Sequence, residues 1–384
     1  MKVGLFIDTF FPMVDGVINV VDNYARELNK YCEVTVFCPL VDKTKMDNLP
    51  YKVVQCNSFS VKNLDYEIPT PQIDREFIKA LKNSDLDIVH IHSPFTVGEI
   101  GKAYAKKKNI PLVATIHSQY KKDFDRTIKG KLPVKIATTA IMNIFNSCDL
   151  CWAVNSGIMD LYVHEYGLIA PCEVKTNATD HRPIEDVKNA KNEIDNEYGI
   201  SPELPVYLFV GRINFLKNIE LIIESLSVLK ERGKKFRMLF VGSGQDEEKL
   251  RKLILEKGLL EEVILCGKIT QKNKLEKLYA RAKLFLFPSL YDANSLVQIE
   301  SACQSTPTLF IRGAKTATGI IDGENGFLSE NDPYSFASKI IEIEENEDLY
   351  KRVCENAKRQ LYVTWEEVIK SVYLDYISLI ENKV

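Results

Sequence analysis

No apolar run in the 384-residue chain is long enough to span a bilayer, so any contact with a membrane is expected from its surface. An excess of one charge is missing too: 50 Lys and Arg stand against 53 Asp and Glu, a formal net charge of −3. So near a balance, no global basic field draws the protein to nucleic acid, and a nucleic-acid partner is not expected. The opening residues carry Asp8 inside their short apolar run and lack a cleavage pattern, so they do not read as a secretion signal. Internal repeats and low-complexity tracts are also lacking. The nine cysteines are odd in number and scattered through apolar stretches, where free Cys behaves as a small hydrophobe; this fits a reducing, cytoplasmic location. Cys148 and Cys151 have metal-knuckle spacing but no second pair, and no zinc site is expected there.

What is present is an ordinary globular composition, 45% apolar and 27% charged, on a chain too long for one core. Short apolar runs alternate with helical periods. Strands are expected at Lys2–Ile7, Glu33–Phe37, Lys52–Gln55, Asp87–His92, Leu112–His117 and Leu150–Asn155, with helices between them. After a polar, Pro-punctuated stretch a second series opens with Val206–Gly211, Arg237–Gly242 and Val263–Cys266. Alternation of this kind specifies parallel, doubly wound sheets. The expected fold class is α/β, with two doubly wound domains facing a central cleft. Their bounds are read as 1–180 and 205–365, joined by a linker at 181–204 that carries one surface helix.

One stretch carries the most chemistry. A buried strand ending near Leu286 meets Pro288-Ser289, then a turn with Asp292, then a helix with Glu300 about two turns along. Ligands of open α/β sheets bind at the carboxyl ends of strands. Asn294 and Ser295 are good N-cap types, so a helix start there would favour an anion. The plainer alternative makes Asp292 a helix cap and Glu300 a charge on the wet face. After the first strand of the second domain come Gly211, Arg212 and Lys217. The glycine permits close backbone approach, and the two cations suit a diphosphate as fork and point charge. Ordinary surface charge is the alternative. Gly16, in Asp15-Gly16-Val17, opens a helix in the first domain and offers N–H groups to a phosphate. Gly242 follows a strand in a similar way, but Gly242-Ser-Gly244 falls short of the dinucleotide fingerprint, which disfavours a nicotinamide enzyme.

His117 ends a strand, where an imidazole can hydrogen-bond a sugar or shuttle a proton. His90 and His92 point to one side of their strand, and with no third ligand in reach they read as structural. Asp85 and Asp87 imitate a metal-binding carboxylate pair but lie at the wrong end of a strand. Residues 119–147 combine Lys121, Lys122, Arg126, Lys129, Lys131 and Lys135 with an amphipathic helix, Val134–Phe145. Such a segment suits an anionic membrane surface, or else a solvated face over a core stripe.

Together these stretches resemble glycosyltransferase family 4, on the two-domain GT-B fold. The motifs that carry the likeness are Phe287-Pro-Ser-Leu-Tyr-Asp292 with Glu300, Val210-Gly211-Arg212 with Lys217, and Phe240-Val-Gly242-Ser-Gly244. Asp322-Gly-Glu-Asn-Gly326, Trp365, Asp15-Gly16-Val17 and His117-Ser118 fall in the family's order as well. The resemblance implies retaining transfer of a hexose, UDP-glucose-like, from a nucleotide-diphosphate sugar to a glycan or lipid-linked acceptor hydroxyl. It implies no cofactor and no required metal. Arg212 and Lys217 would stabilise the leaving diphosphate, Asp292 and His117 would take the sugar, and Glu300 the ribose. Gly16, Gly211 and Gly242 would let backbone approach the donor. The base would lie near Lys268 and Ile269, with Asn294, Ser295, Leu296 and Val297 completing the donor contacts. The helix 366–384 would pack back on the first domain. The cysteine usage and the basic segment 119–147 together suggest a cytoplasmic place at the inner face of the membrane. Where many relatives carry Gly-Phe-Gly after the first acid this chain has Ala293-Asn294-Ser295, which motivates the alternative of a non-catalytic sugar-nucleotide sensor.

Overall fold

The computed structural model of the protein describes residues 1–13, 15–41, 46, 48–60 and 67–383. The chain divides into two compact units, Met1–Asn177 with Trp365–Val384, and Ala178–Thr364.

Among the described residues, the first unit holds a seven-stranded parallel sheet. Its order is Lys52–Cys56, Glu33–Pro39, Lys2–Phe6, Ile88–Ile91, Leu112–Ile116, Leu150–Ala153 and Cys172–Val174. Ile88–Ile91, Leu112–Ile116 and Leu150–Ala153 are buried at every position, as strands covered by helices on both faces must be. The helix Gly16–Leu28 begins at Asp15, whose side chain accepts from the Val17 N–H at 2.8 Å. It buries Ile18, Val21, Tyr24, Ala25 and Leu28, the three-and-four spacing of one helix face. The last helix, Trp365–Lys383, lies against it: the Tyr24 and Trp365 rings are 5.6 Å apart. Further along, the Tyr376 hydroxyl reaches His90 Nδ1 at 2.6 Å. The C-terminal helix is thus part of the first unit's core.

The second unit holds a six-stranded parallel sheet among the described residues. Its order is Val263–Gly267, Arg237–Val241, Val206–Val210, Leu284–Leu286, Thr308–Ile311 and Phe327–Ser329. The strand sequence reverses direction between Val206–Val210 and Leu284–Leu286, so the loops leaving these two strands part to opposite sides. Residues 181–204, expected as a linker, supply the helix Val187–Tyr198, which packs on Lys272–Arg281. A buried ion pair fastens it, Arg281 Nε to Asp195 Oδ1 at 2.5 Å. Both partners are satisfied or nearly so, Arg281 also donating to the Leu204 carbonyl at 3.1 Å, as a buried charge requires. Within this unit the Thr179 N–H donates to the Val363 carbonyl at 3.1 Å, and Thr179 bridges Thr364. The segment entering the unit is therefore paired with the one leaving it.

Local differences from expectation have simple causes. The basic segment folds as two helices, Tyr120–Thr127 and Lys131–Phe145. The second starts earlier than its apolar period suggests because Pro133 is tolerated in a first turn. Cys172–Val174, at the sheet's edge, and the separate antiparallel pair Ser58–Phe59 with Ile68–Pro69 are too short to leave an apolar run.

Candidate active site

In the second unit, the loops after Val206–Val210 and Leu284–Leu286 flank the reversal point of the sheet, the usual ligand position in such folds. Two glycines let the first of these loops pack backbone on backbone with its neighbour. A Cβ on Gly242, at φ +139, would lie 1.8 Å from the Gly211 carbonyl oxygen, and one on Gly244 would lie 2.2 Å from that of Ile213. The Gly211 N–H donates to Val241 O at 2.9 Å and Ile213 N–H to Ser243 O at 3.0 Å. Gly242 thus has a reason to be glycine inside the protein itself.

The loop then turns through Phe215–Lys217, with the Asn214 side chain accepting from the Leu216 N–H at 2.8 Å. Lys217 is held by this turn so that its Nζ meets both oxygens of Asp292, at 2.7 and 2.9 Å. The side chains are only 17% and 19% exposed, so this ion pair is screened less than a surface one. Asp292 is held from its other side by the Ser289 hydroxyl, which donates to Oδ2 at 2.6 Å. Ser289 is fully buried; its oxygen accepts from the N–H groups of Tyr291 and Asp292, each at 3.3 Å. Thr316 donates to its carbonyl at 3.2 Å.

This geometry removes the plainer alternative. Asp292 caps no helix: the helix runs Leu296–Cys303 with Ser295 in the cap position, and Ser295 makes no side-chain capping bond. Nor is Glu300 on a wet face two turns along. It is the helix's fifth residue, half-buried, and its Oε2 accepts from the Tyr279 hydroxyl at 2.9 Å. Burial raises the Glu300 carboxyl above its ordinary value. The neighbouring His181 and the Tyr279 bond oppose that rise, while Asp180 and Glu276 add to it.

The remaining expected residues of this unit are spread over several loops and the first turn of the helix Leu296–Cys303. Arg212 and Lys268 are exposed, and Ile269 and Val297 are half-buried against the core. Asn294, Ser295 and Leu296 are half-buried, with Asn294 Oδ1 accepting from Gln298 Nε2 at 3.3 Å. Asp322, in the Asp-Gly-Glu-Asn-Gly motif, closes a turn by accepting from the Leu328 N–H at 2.9 Å.

In the first unit, Gly16 is exposed at its helix start, with no atom within 4 Å of where a Cβ would stand. His117 follows the strand Leu112–Ile116 and is buried, its Nε2 3.1 Å from His92 Nδ1. Burial pushes the His117 imidazole down to about 3. His90 and His92 are lowered well below 6.5 by the same cause, so all three rings are neutral near pH 7. His90 is spanned by Tyr376 and by the Thr115 hydroxyl at 2.7 Å, a structural setting.

Several supporting residues escaped the sequence reading. Ser289 stands three before Asp292, a spacing that allows a side-chain-to-backbone turn and so was detectable. Tyr279 and His181 gave no signal, since one reads as a core aromatic and the other as a linker residue. Asp8 accepts from the N–H of Val97 at 2.7 Å and the Thr96 hydroxyl at 3.0 Å. It thereby caps the helix Thr96–Lys108 from the loop after the first strand, and burial raises its carboxyl. Among the described residues no cluster of three or more His, Cys, Asp or Glu could hold a metal ion.

Comparison with known proteins agrees with this geometry. A model described as glycosyltransferase family 4 matches residues 14–182, and one described as glycosyl transferases group 1 matches 190–360. Alpha-monoglucosyldiacylglycerol synthase of Acholeplasma laidlawii is 25% identical over 406 aligned residues, covering 100% of this chain and 99% of that protein. Sucrose-phosphate synthase of Thermosynechococcus elongatus has a similar fold, at TM-score 0.79 and 17% identity, with 99% of each chain covered. HepE of Anabaena, in complex with UDP-glucose, aligns at TM-score 0.76 and 16% identity, covering 98% of this chain and 100% of that one. Two doubly wound, Rossmann-like α/β units and two consecutive family models that together take in most of the sequence lead to one statement: this chain belongs to the family 4 glycosyltransferases of the GT-B class.

Proposed function

We propose that this glycosyltransferase moves a hexose from a UDP-sugar, UDP-glucose in the first instance, to the hydroxyl of a lipid acceptor with retention. The observation that carries the reading is the Lys217–Asp292 pair at 2.7 Å, held at the sheet's reversal point by a buried serine. On donor arrival Lys217 exchanges one anion for another, leaving Asp292 for the diphosphate. Asp292 is then free to accept from the sugar's hydroxyls. The bond from the anomeric carbon to the diphosphate oxygen breaks, the acceptor oxygen bonds to that carbon, and the acceptor's proton leaves with the nucleoside diphosphate. Arg212 and Lys217 stabilise charge that grows on the leaving group, where electrostatic help has most effect. Glu300 takes the ribose hydroxyls, Gly16 serves the phosphates and His117 the sugar.

Support for a lipid acceptor comes from the relative named as a monoglucosyldiacylglycerol synthase, matched over 100% of this chain. The exposed faces of Tyr120–Thr127 and Lys131–Phe145 add to it, with Lys121, Lys122, Arg126, Lys129, Lys131 and Lys135 beside exposed Leu132 and Ile136. Basic side chains next to apolar ones suit an anionic bilayer surface.

The test is transfer from UDP-, GDP- and ADP-hexoses to diacylglycerol in anionic and in neutral vesicles. Turnover should be highest with UDP-glucose on anionic vesicles, and the product's anomeric configuration should match the donor's. Lys217→Ala and Asp292→Ala should each lower kcat/KM by about a hundredfold or more. Wild-type turnover in both variants would sink the site, an inverted product would sink retention, and equal rates on both vesicles would sink the membrane surface.

A further inference from the structure

Glu300 is gripped on one side only. Its Oε2 receives the Tyr279 hydroxyl at 2.9 Å, and no hydrogen bond reaches Oε1 among the described residues. Tyr279 itself has no freedom to follow a moving partner. It is fully buried on the helix Lys272–Arg281, its ring lies edge-on to Phe285 at 5.6 Å, and its carbonyl accepts from Thr306 Oγ1 at 2.6 Å. Thr306 is tied in turn to the helix of Glu300, because the Ser301 hydroxyl donates to the Thr306 carbonyl at 2.8 Å. The phenol and the carboxylate are therefore mounted on two helices that share one rigid connection.

A carboxylate that accepts from both hydroxyls of a cis-diol must present a fixed plane. The terminal torsion of a glutamate is broad and has no staggered wells to supply that plane. A single phenolic donor, fixed in space, can supply it. We propose that Tyr279 is the positioning residue that orients Glu300 toward the donor's ribose and makes the site discriminate a ribonucleotide from a 2′-deoxyribonucleotide. This rests on the reading that Glu300 takes the ribose hydroxyls. His181 stands beside the same carboxylate, with its Nδ1 3.7 Å from Glu276 Oε1, while the hydrogen bond that gives Glu300 its direction comes from Tyr279.

The experiment is calorimetric binding of UDP, GDP and their 2′-deoxy counterparts to the full chain, as wild type, Tyr279→Phe and Glu300→Gln. Wild type should favour the ribonucleotide about tenfold, the equivalent of one good hydrogen bond. Tyr279→Phe should weaken the ribonucleotide by about that factor and leave the deoxynucleotide within about twofold, so that the preference collapses. In turnover, the donor KM should rise while kcat holds. The phenylalanine ring fills the same space, and thermal unfolding of the variant reports whether the fold is kept. A Tyr279→Phe protein that weakens both nucleotides alike, or retains the preference, overturns the proposal. If it retains the preference while Glu300→Gln loses it, only the role of Tyr279 falls. If Glu300→Gln retains it too, the ribose reading falls with it.

Discussion

Three neutral histidines in the first unit make its stability depend on acid. His90, His92 and His117 have folded values below the ordinary 6.5, His117 at about 3. The unfolded chain therefore binds protons first as pH falls. Stability is fully present above about pH 6.5 and is lost as acid is added toward pH 3, at up to about 1.4 kcal/mol per pH unit for each ring. Asp8 and Glu300 act in the opposite sense, because their raised carboxyls take a proton more readily when folded. Urea unfolding between pH 7.5 and 5 should show a steep loss for wild type and a shallower one for His117→Asn, by about one proton's worth. Equal slopes would refute the burial argument. At this scale the sequence was informative about identity and silent about company. Lys217 and Asp292 could both be named from their loops, because glycine turns and strand ends have local signatures. That Ser289 would hold Asp292 was open to reading from their three-residue spacing, whereas Tyr279 holding Glu300 joins two positions 21 apart in the chain, which no local pattern encodes.

Elements follow their local chemistry closely where one face is plainly apolar. The helix Thr96–Lys108 has the bounds that its period and flanking residues imply. Its start is less legible: the cap position is Phe95, which makes no capping bond, and Asp8 from the loop after the first strand does that work. The loops of the second unit show the reverse case, a close backbone contact written in glycine. Gly242→Ala places a Cβ against the Gly211 carbonyl at a φ of +139, and should cost about 3 kcal/mol or more. Gly258→Ala, with φ +63 and nothing within 4 Å, should cost only about 1 kcal/mol. Denaturant midpoints of the two variants compare the contact with the backbone conformation directly; equal losses would show that the close approach contributes nothing.

On the scale of the whole molecule, the first unit is assembled from two stretches of chain with the second unit inserted between them. Trp365, Ile369, Val372 and Tyr376 are buried in it, and at roughly 2 kcal/mol each their loss approaches the whole stability of a typical domain. A fragment of residues 1–177 should accordingly show no cooperative thermal transition, and linking 365–384 to it should restore one. A fragment of 178–364 should unfold cooperatively alone. A sharp transition in 1–177 by itself would contradict the assignment of the last helix. This discontinuity also orders events during synthesis. The unit translated first is the one completed last, since its closing helix is made only after every strand of the inserted unit is already available to fold. A chain that stops short of Trp365 would carry a finished second unit joined to a first one with Tyr24 and His90 uncovered, the kind of surface on which chaperones and proteases act. The placement of one helix thus makes completion of the first unit a report that translation has passed beyond the second.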